Sequence, residues 1–247
     1  IRDRATVGQK ISTSTGVVST YSLFYTNAGG AYNGGVLDPN GNIHFIPRYG
    51  TVIGQKVSAA GVVSTYSLIS NNFYGGGVLA PNGDIHFVPY VTSVGQKISA
   101  AGVVSTYSII HTKNGSYHGG VLSPNGDIHF IPLQGEVGQK VSSAGVVSTY
   151  SLIYTNSTGA YVGGVLSPNG DIHFVPYTAT VGQKISLDGV VSTYSLANVS
   201  TYVGGVLSPN GIIYFVPNTA TVGQKISTLP GKSFTKSMCL SPFFNKF

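Results

Sequence analysis

The segment Val-Gly-Gln-Lys-(Ile/Val)-Ser begins at Val7, Val94, Val137, Val181 and Val222, with an Ile-Gly-Gln-Lys-Val-Ser variant at Ile53. Successive copies lie 41 to 46 residues apart. A unit of that length cannot bury its own hydrophobic face, so it must stack on copies of itself. A period of forty-odd residues is that of one four-stranded propeller blade.

The third unit shows the strands plainly. Gly119-Gly120-Val121-Leu122-Ser123 reads as an inner strand, followed by the turn Pro124-Asn125-Gly126, where proline presets φ and glycine tolerates a positive one. Asp127–Pro132 is a second strand, Val137–Ser142 a third and Val146–Leu152 a fourth. β-Branched and aromatic residues dominate, with glycine or proline punctuating them, and no segment has a helical period. The Gly-Gly start lets backbones crowd around a narrow channel, and the hydroxyl-rich fourth strand suits the outer edge. The inner strand recurs at Gly34, Gly76, Gly119, Gly163 and Gly204, which predicts an all-β, five-bladed β-propeller with four antiparallel strands per blade.

The pattern Gly-Gly-Val-Leu-Ser-Pro-Asn-Gly-Asp-Ile-His-Phe-Val-Pro, followed by a short hydrophobic strand and Gly-Val-Val-Ser-Thr-Tyr-Ser, resembles the blades of YVTN- and NHL-like propellers over about residues 5 to 227. What the resemblance implies is the fold. With five blades the chain is also similar to the tachylectin type of five-bladed lectin, which implies sugar binding. Lectins of that type carry blade tryptophans, and this chain has none.

The domain expected is a propeller over 1–227 and a tail over 228–247 that can supply an extra outer strand. Two segments compete to complete the last blade. The chain opens with a third and fourth strand, Val7–Leu23, and ends its repeats with a sixth Val-Gly-Gln-Lys-Ile-Ser at Val222. The reading favoured is circular closure by the N-terminal pair. The strand left over then packs on the surface or is donated to another molecule.

A net charge of +6 favours anionic partners in principle. Six of the 13 basic residues, however, are one repeated strand lysine (Lys10, Lys56, Lys97, Lys140, Lys184, Lys225), spread around the ring, which argues against nucleic acid. Cys239 alone excludes a disulfide framework, and no run approaches the apolar length of a membrane helix. The chain opens on Ile1, as expected of a processed chain or a piece of a longer one. The sequons at Asn114, Asn156 and Asn198 matter in a secretory pathway, and an extracellular or secreted setting is favoured.

Candidate chemistry is sparse. One rim is uniform, with Pro-Asn-Gly in every unit, while the loops of the other differ from blade to blade. Variable loops on a rigid frame are where binding residues concentrate. A tyrosine stands two residues before each inner Gly-Gly: Tyr32, Tyr74, Tyr117, Tyr161 and Tyr202. Their faces, with Asn33, His118, Asn72 and Ser200 beside them, suit stacking on a sugar or other flat ligand. The alternative is that each seals the gap between two blades.

His44, His86, His129 and His173 recur in the second strand, with Tyr214 in the fifth unit. Sitting on separate blades, they read as buried rings rather than a metal set. Asp84, Asp127 and Asp171 read as turn residues, no nucleophile motif appears, and neither cofactor nor metal is expected. The expectation is therefore a non-enzymatic binding module, lectin-like, with a carbohydrate or cell-surface ligand. The alternative is an assembly propeller that self-associates through its surplus strand.

Overall fold

The computed structural model describes residues 7–25, 30–48, 51–111 and 113–228. Among them every regular element is a strand, and no helix is long and apolar enough to cross a membrane. The chain begins with a hairpin, β1 (Val7–Ile11) and β2 (Val18–Ser22). Four complete antiparallel blades follow. They are β3 (Tyr32–Leu37), β4 (Ile43–Pro47), β5 (Ile53–Val57) and β6 (Val63–Ser67); β7 (Phe73–Leu79), β8 (Ile85–Val91), β9 (Val94–Ile98) and β10 (Val104–Ser108); β11 (Tyr117–Leu122), β12 (Ile128–Pro132), β13 (Val137–Val141) and β14 (Val147–Ser151); and β15 (Tyr161–Leu166), β16 (Ile172–Pro176), β17 (Val181–Ile185) and β18 (Val191–Ser195). The last sheet has three strands, β19 (Tyr202–Leu207), β20 (Ile212–Pro217) and β21 (Gln224–Ser227).

Each turn is set by its residues. In the third blade Ser123 accepts from Gly126 N–H at 3.0 Å and donates its own N–H to Asp127 O at 2.8 Å. Gly126 has a φ of 87°, which a side chain rarely adopts. A bulge separates Tyr117, paired with Pro132, from Gly120, paired with Phe130, and re-aims the tyrosine side chain.

Inner strands pack side by side in the order β3, β7, β11, β15, β19. The core is therefore a series of seams between blades rather than one centre. At each seam a valine of one inner strand and an aliphatic residue of its β-partner press on a glycine of the next blade. Val36 and Ile46 meet Gly77, Val78 and Val88 meet Gly120, Val121 and Ile131 meet Gly164, and Val165 and Val175 meet Gly205. A Cβ on any of these glycines would collide with those side chains, so the glycine sets how closely the sheets approach. A buried glutamine bolts each seam. Gln96 Oε1 accepts from Ile69 and Ser70 N–H (3.0 and 2.9 Å), and Gln139 Oε1 from Ile110 and His111 N–H (2.8 and 3.0 Å).

Closure differs from the sequence expectation. The N-terminal pair does not complete the last sheet; β1 pairs with β2, and β20 is paired by β21. The reason is proximity in sequence, since a six-residue loop joins β20 to β21 while β1 would have to close a loop of about two hundred. The hairpin instead lies against the first blade, where Phe24 N–H donates to Gln55 Oε1 at 2.7 Å and Tyr21 stands 6.5 Å from Phe45. Among the described residues no strand of the last sheet makes an extended contact with a strand of the first blade. The arrangement is an open arc.

Candidate functional site

The five predicted tyrosines lie at the blade seams. Tyr74, Tyr117, Tyr161 and Tyr202 are at most 1% exposed, and Tyr32 is half-buried. Each ring sits against the second-strand phenylalanine of its own blade, such as Tyr161 on Phe174 at 5.4 Å. The hydroxyls of Tyr117, Tyr161 and Tyr202 donate to Val137, Val181 and Val222 carbonyls at 3.0 to 3.1 Å. Burial pushes the Tyr74 phenol up to about 12 and those of Tyr117 and Tyr161 higher still. The bulge that follows each of these residues re-aims its side chain into the seam, so a ring of open aromatic faces does not form.

The second-strand histidines are also interior. His86 and His129 approach Tyr107 and Tyr150 hydroxyls at 3.2 and 3.4 Å, and His44 Nε2 lies 3.1 Å from Asp38 Oδ2. Burial first, and then the lysine of the third strand, lowers His86, His129 and His173 to about 4. The turn aspartates serve that lysine: Lys97 Nζ sits 2.6 Å from Asp84, Lys140 2.6 Å from Asp127 and Lys184 2.5 Å from Asp171. In the fifth unit Ile212 and Tyr214 stand in place of this aspartate and histidine. Among the described residues no three of His, Cys, Asp and Glu come together.

What breaks the symmetry is at the channel mouth on the variable rim. A cavity of about 270 Å³ is ringed by the inner-strand glycines, with Asn33, His118, Val162 and Val203 at its edge. A second, of about 220 Å³, adjoins it through Asn33 and His118 and adds Arg48, Phe73, Tyr74, Tyr90 and Val91. Two repeat positions supply most of this set. The residue after each inner-strand tyrosine is Asn33, Gly75, His118, Val162 or Val203; the residue after each second-strand proline is Arg48, Tyr90, Leu133, Tyr177 or Asn218. Histidine and arginine each occur once, on blades three and one, and the arc brings them to one cavity.

His118 is held firmly. Its Nδ1 lies 2.9 Å from Val162 O, which can only accept, so Nδ1 carries the proton and Nε2 the lone pair. Tyr90 meets the ring edge-on at 6.1 Å. Burial lowers the imidazole's affinity for a second proton, the Val162 carbonyl works the other way, and the Arg48 charge lowers it further. The result is a neutral imidazole beside a guanidinium, with Asn33 Nδ2 reaching Tyr74 O at 3.5 Å. Sequence reading named Asn33 and His118 as polar neighbours of the tyrosines but gave them no role of their own. The signal was a column that varies from blade to blade and carries a single histidine and a single asparagine.

No family model matches the sequence, and no curated protein is significantly similar to it. Solved structures are similar in fold. Virginiamycin B lyase from Staphylococcus aureus superposes with a TM-score of 0.74 at 16% identity, over 92% of this chain and 78% of that one. A streptogramin B lyase gives 0.74 at 19% identity, over 92% and 77%. Regucalcin, a calcium-binding protein from Agrobacterium tumefaciens, gives 0.55 at 12%, over 85% and 74%. A further structure of the Staphylococcus lyase, with quinupristin, is of a form made catalytically inactive by replacing one histidine with alanine. These matches overturn the expectation that the chain is not an enzyme. That expectation rested on finding no nucleophile motif and no metal set in the repeats, and the same architecture carries catalysis in two lyases. By fold, the chain is a β-propeller.

Proposed function

We propose that the channel mouth is an enzyme site in which His118 takes a proton from a bound substrate and Arg48 holds the charge that develops. The observation that carries the reading is the convergence of these two residues, each the single one of its type in its repeat column, on one cavity of an otherwise repetitive molecule. A neutral imidazole with its tautomer fixed by a carbonyl is the form a general base needs near neutral pH. A guanidinium next to it suits a carboxylate or an enolate-like oxygen. Proton removal next to a carbonyl, with elimination or ring opening, is the class of reaction this set supports. The lyases that share the fold support it too. The variable rim expected from the sequence remains the place of binding, with one asymmetric site instead of five equivalent ones.

The test is incubation of the full chain with quinupristin, a panel of sugar and cyclic-ester lactones and a set of oligosaccharides, with products read by mass spectrometry. Turnover of one class that falls at least a hundredfold in His118→Gln, with binding retained, is the expected result. Turnover unchanged in that variant overturns the reading. So does retention of an unaltered sugar with no product, which returns the rim to simple binding.

A further inference from the structure

The two ends of the arc are unmated halves of a seam that the molecule builds four times. On the last sheet Val206 and Val216 are 49% and 43% exposed. Their counterparts Val165 and Val175, pressed on Gly205, are 6% and 0% exposed. On the first blade Gly35 takes the place of Gly77, Gly120, Gly164 and Gly205, but it is exposed and the atoms nearest its Cβ position belong to its own blade. Strand content is complementary as well. Among the described residues the last sheet has first, second and third strands, the tail expected to supply an outer strand lying outside them from residue 229 on, while β1–β2 is a third and fourth strand with no first or second. The segments Val7–Ser12 and Val222–Ser227 are identical in all six residues. In complete blades the third strand pairs on both edges, whereas among the described residues β1 pairs on one.

We infer that two copies of this chain join end to end through a composite blade, in which the β1–β2 hairpin of one copy displaces β21 from β20 of the other. The composite blade has four strands, of the sequence every complete blade has. The exchange trades one strand pairing for one of the same sequence and adds an outer strand beyond the three that the described residues of the last sheet supply. It also lays Val206 and Val216 of one copy on Gly35 of the other, burying the apolar surface that both ends expose. A second copy is the occupant because the seam is self-complementary by repetition: what covers Val165 and Val175 inside the chain is the same structure that the hairpin and first blade present outside it. The hairpin of the same chain lies at the opposite end of the arc, against Gln55 and Phe45. The contact is head-to-tail, so each copy keeps one open end and assemblies grow with concentration.

The register of β20 on β21 pairs Tyr214 with Lys225, so in the composite blade Tyr214 stands opposite Lys10. Two chains are made in a Cys239→Ser background, one with Tyr214→Cys and one with Lys10→Cys. Both positions are exposed, so neither change threatens the fold. Mixed under oxidised glutathione, the two are expected to form a disulfide-linked heterodimer beyond the homodimer level of either alone. Light scattering of the parent chain is expected to show mass rising with concentration, and Val206→Lys with Val216→Lys to return it to monomer. A concentration-independent monomer overturns the inference. So does an internal disulfide in a chain carrying both cysteines with no heterodimer on mixing, which would mean that the arc closes on itself. Failure of all of these with rim turnover intact leaves the reading of the His118 site untouched, since the two rest on different residues.

Discussion

Tyr150 closes over Gly138: the two are register partners on β14 and β13, and the ring's Cε2 and Cζ occupy the place where a Cβ on Gly138 would stand. The same pairing recurs as Gly54 with Tyr66, Gly95 with Tyr107 and Gly182 with Tyr194. The invariant glycine of the Val-Gly-Gln-Lys repeat is thus a seat for the aromatic ring of the outer strand. Gly138→Ala is expected to lower stability by about 1–3 kcal/mol, the range for overpacking a filled site. Combined with Tyr150→Ala, its added cost should largely vanish, because the ring it strikes is gone. Denaturant unfolding of the two single variants and the double variant checks this.

The tyrosine hydroxyls in the seams are expected to matter for stability and not for chemistry. Tyr161→Phe removes a 3.0 Å bond to Val181 O and should cost about 1 kcal/mol. Its thermal midpoint should fall while turnover at the rim stays as in the parent.

Gln139 joins one blade to the next through two backbone N–H groups. Gln139→Leu leaves those of Ile110 and His111 without their acceptor, at about 0.5–1.5 kcal/mol for each bond lost. Amide exchange at Ile110 and His111 should accelerate well before that of the strands around them.

Acid should unfold the protein through its histidines. His86, His129 and His173 are lowered to about 4 from an ordinary 6.5, so between those values the unfolded chain binds protons that the folded one refuses. Their stabilising contribution is full above about pH 6.5 and is lost as pH falls through 4, on the order of 3 kcal/mol for each. Unfolding midpoints followed from pH 7.5 to 4 should decline over that window. His129→Tyr, the residue the fifth unit uses, should flatten the decline.

At the rim, the proton affinity of His118 is tied to Arg48. An NMR titration should place its midpoint below 6.5, and Arg48→Met should move it upward. An unmoved midpoint would separate the two residues electrically.

The fold was legible because every blade repeats the same instructions: a Pro-Asn-Gly turn, a Gly-Gly inner strand, and apolar residues on both faces of the middle strands. Closure was not, because Val7–Ser12 and Val222–Ser227 are the same six residues and pattern cannot rank them; chain proximity decides. The tyrosines misled as a site for a related reason. Regular recurrence marks what every seam needs, so Tyr117 and its counterparts belong to the packing. The groups proposed to react, His118 and Arg48, stand instead in columns that vary from blade to blade.

An arc held together only between neighbours has no distant contact to lock it. Its stability should behave as in a linear array, a sum of blade terms and seam terms, with the inner blades the last to melt. The first blade and the three-stranded last sheet, each with one seam unmated, should fray while β7–β18 remain intact. Unfolding would then spread inward from both ends rather than occur in one step. Anything that mates the ends, a second molecule included, would convert that gradual loss into a sharper and more cooperative transition.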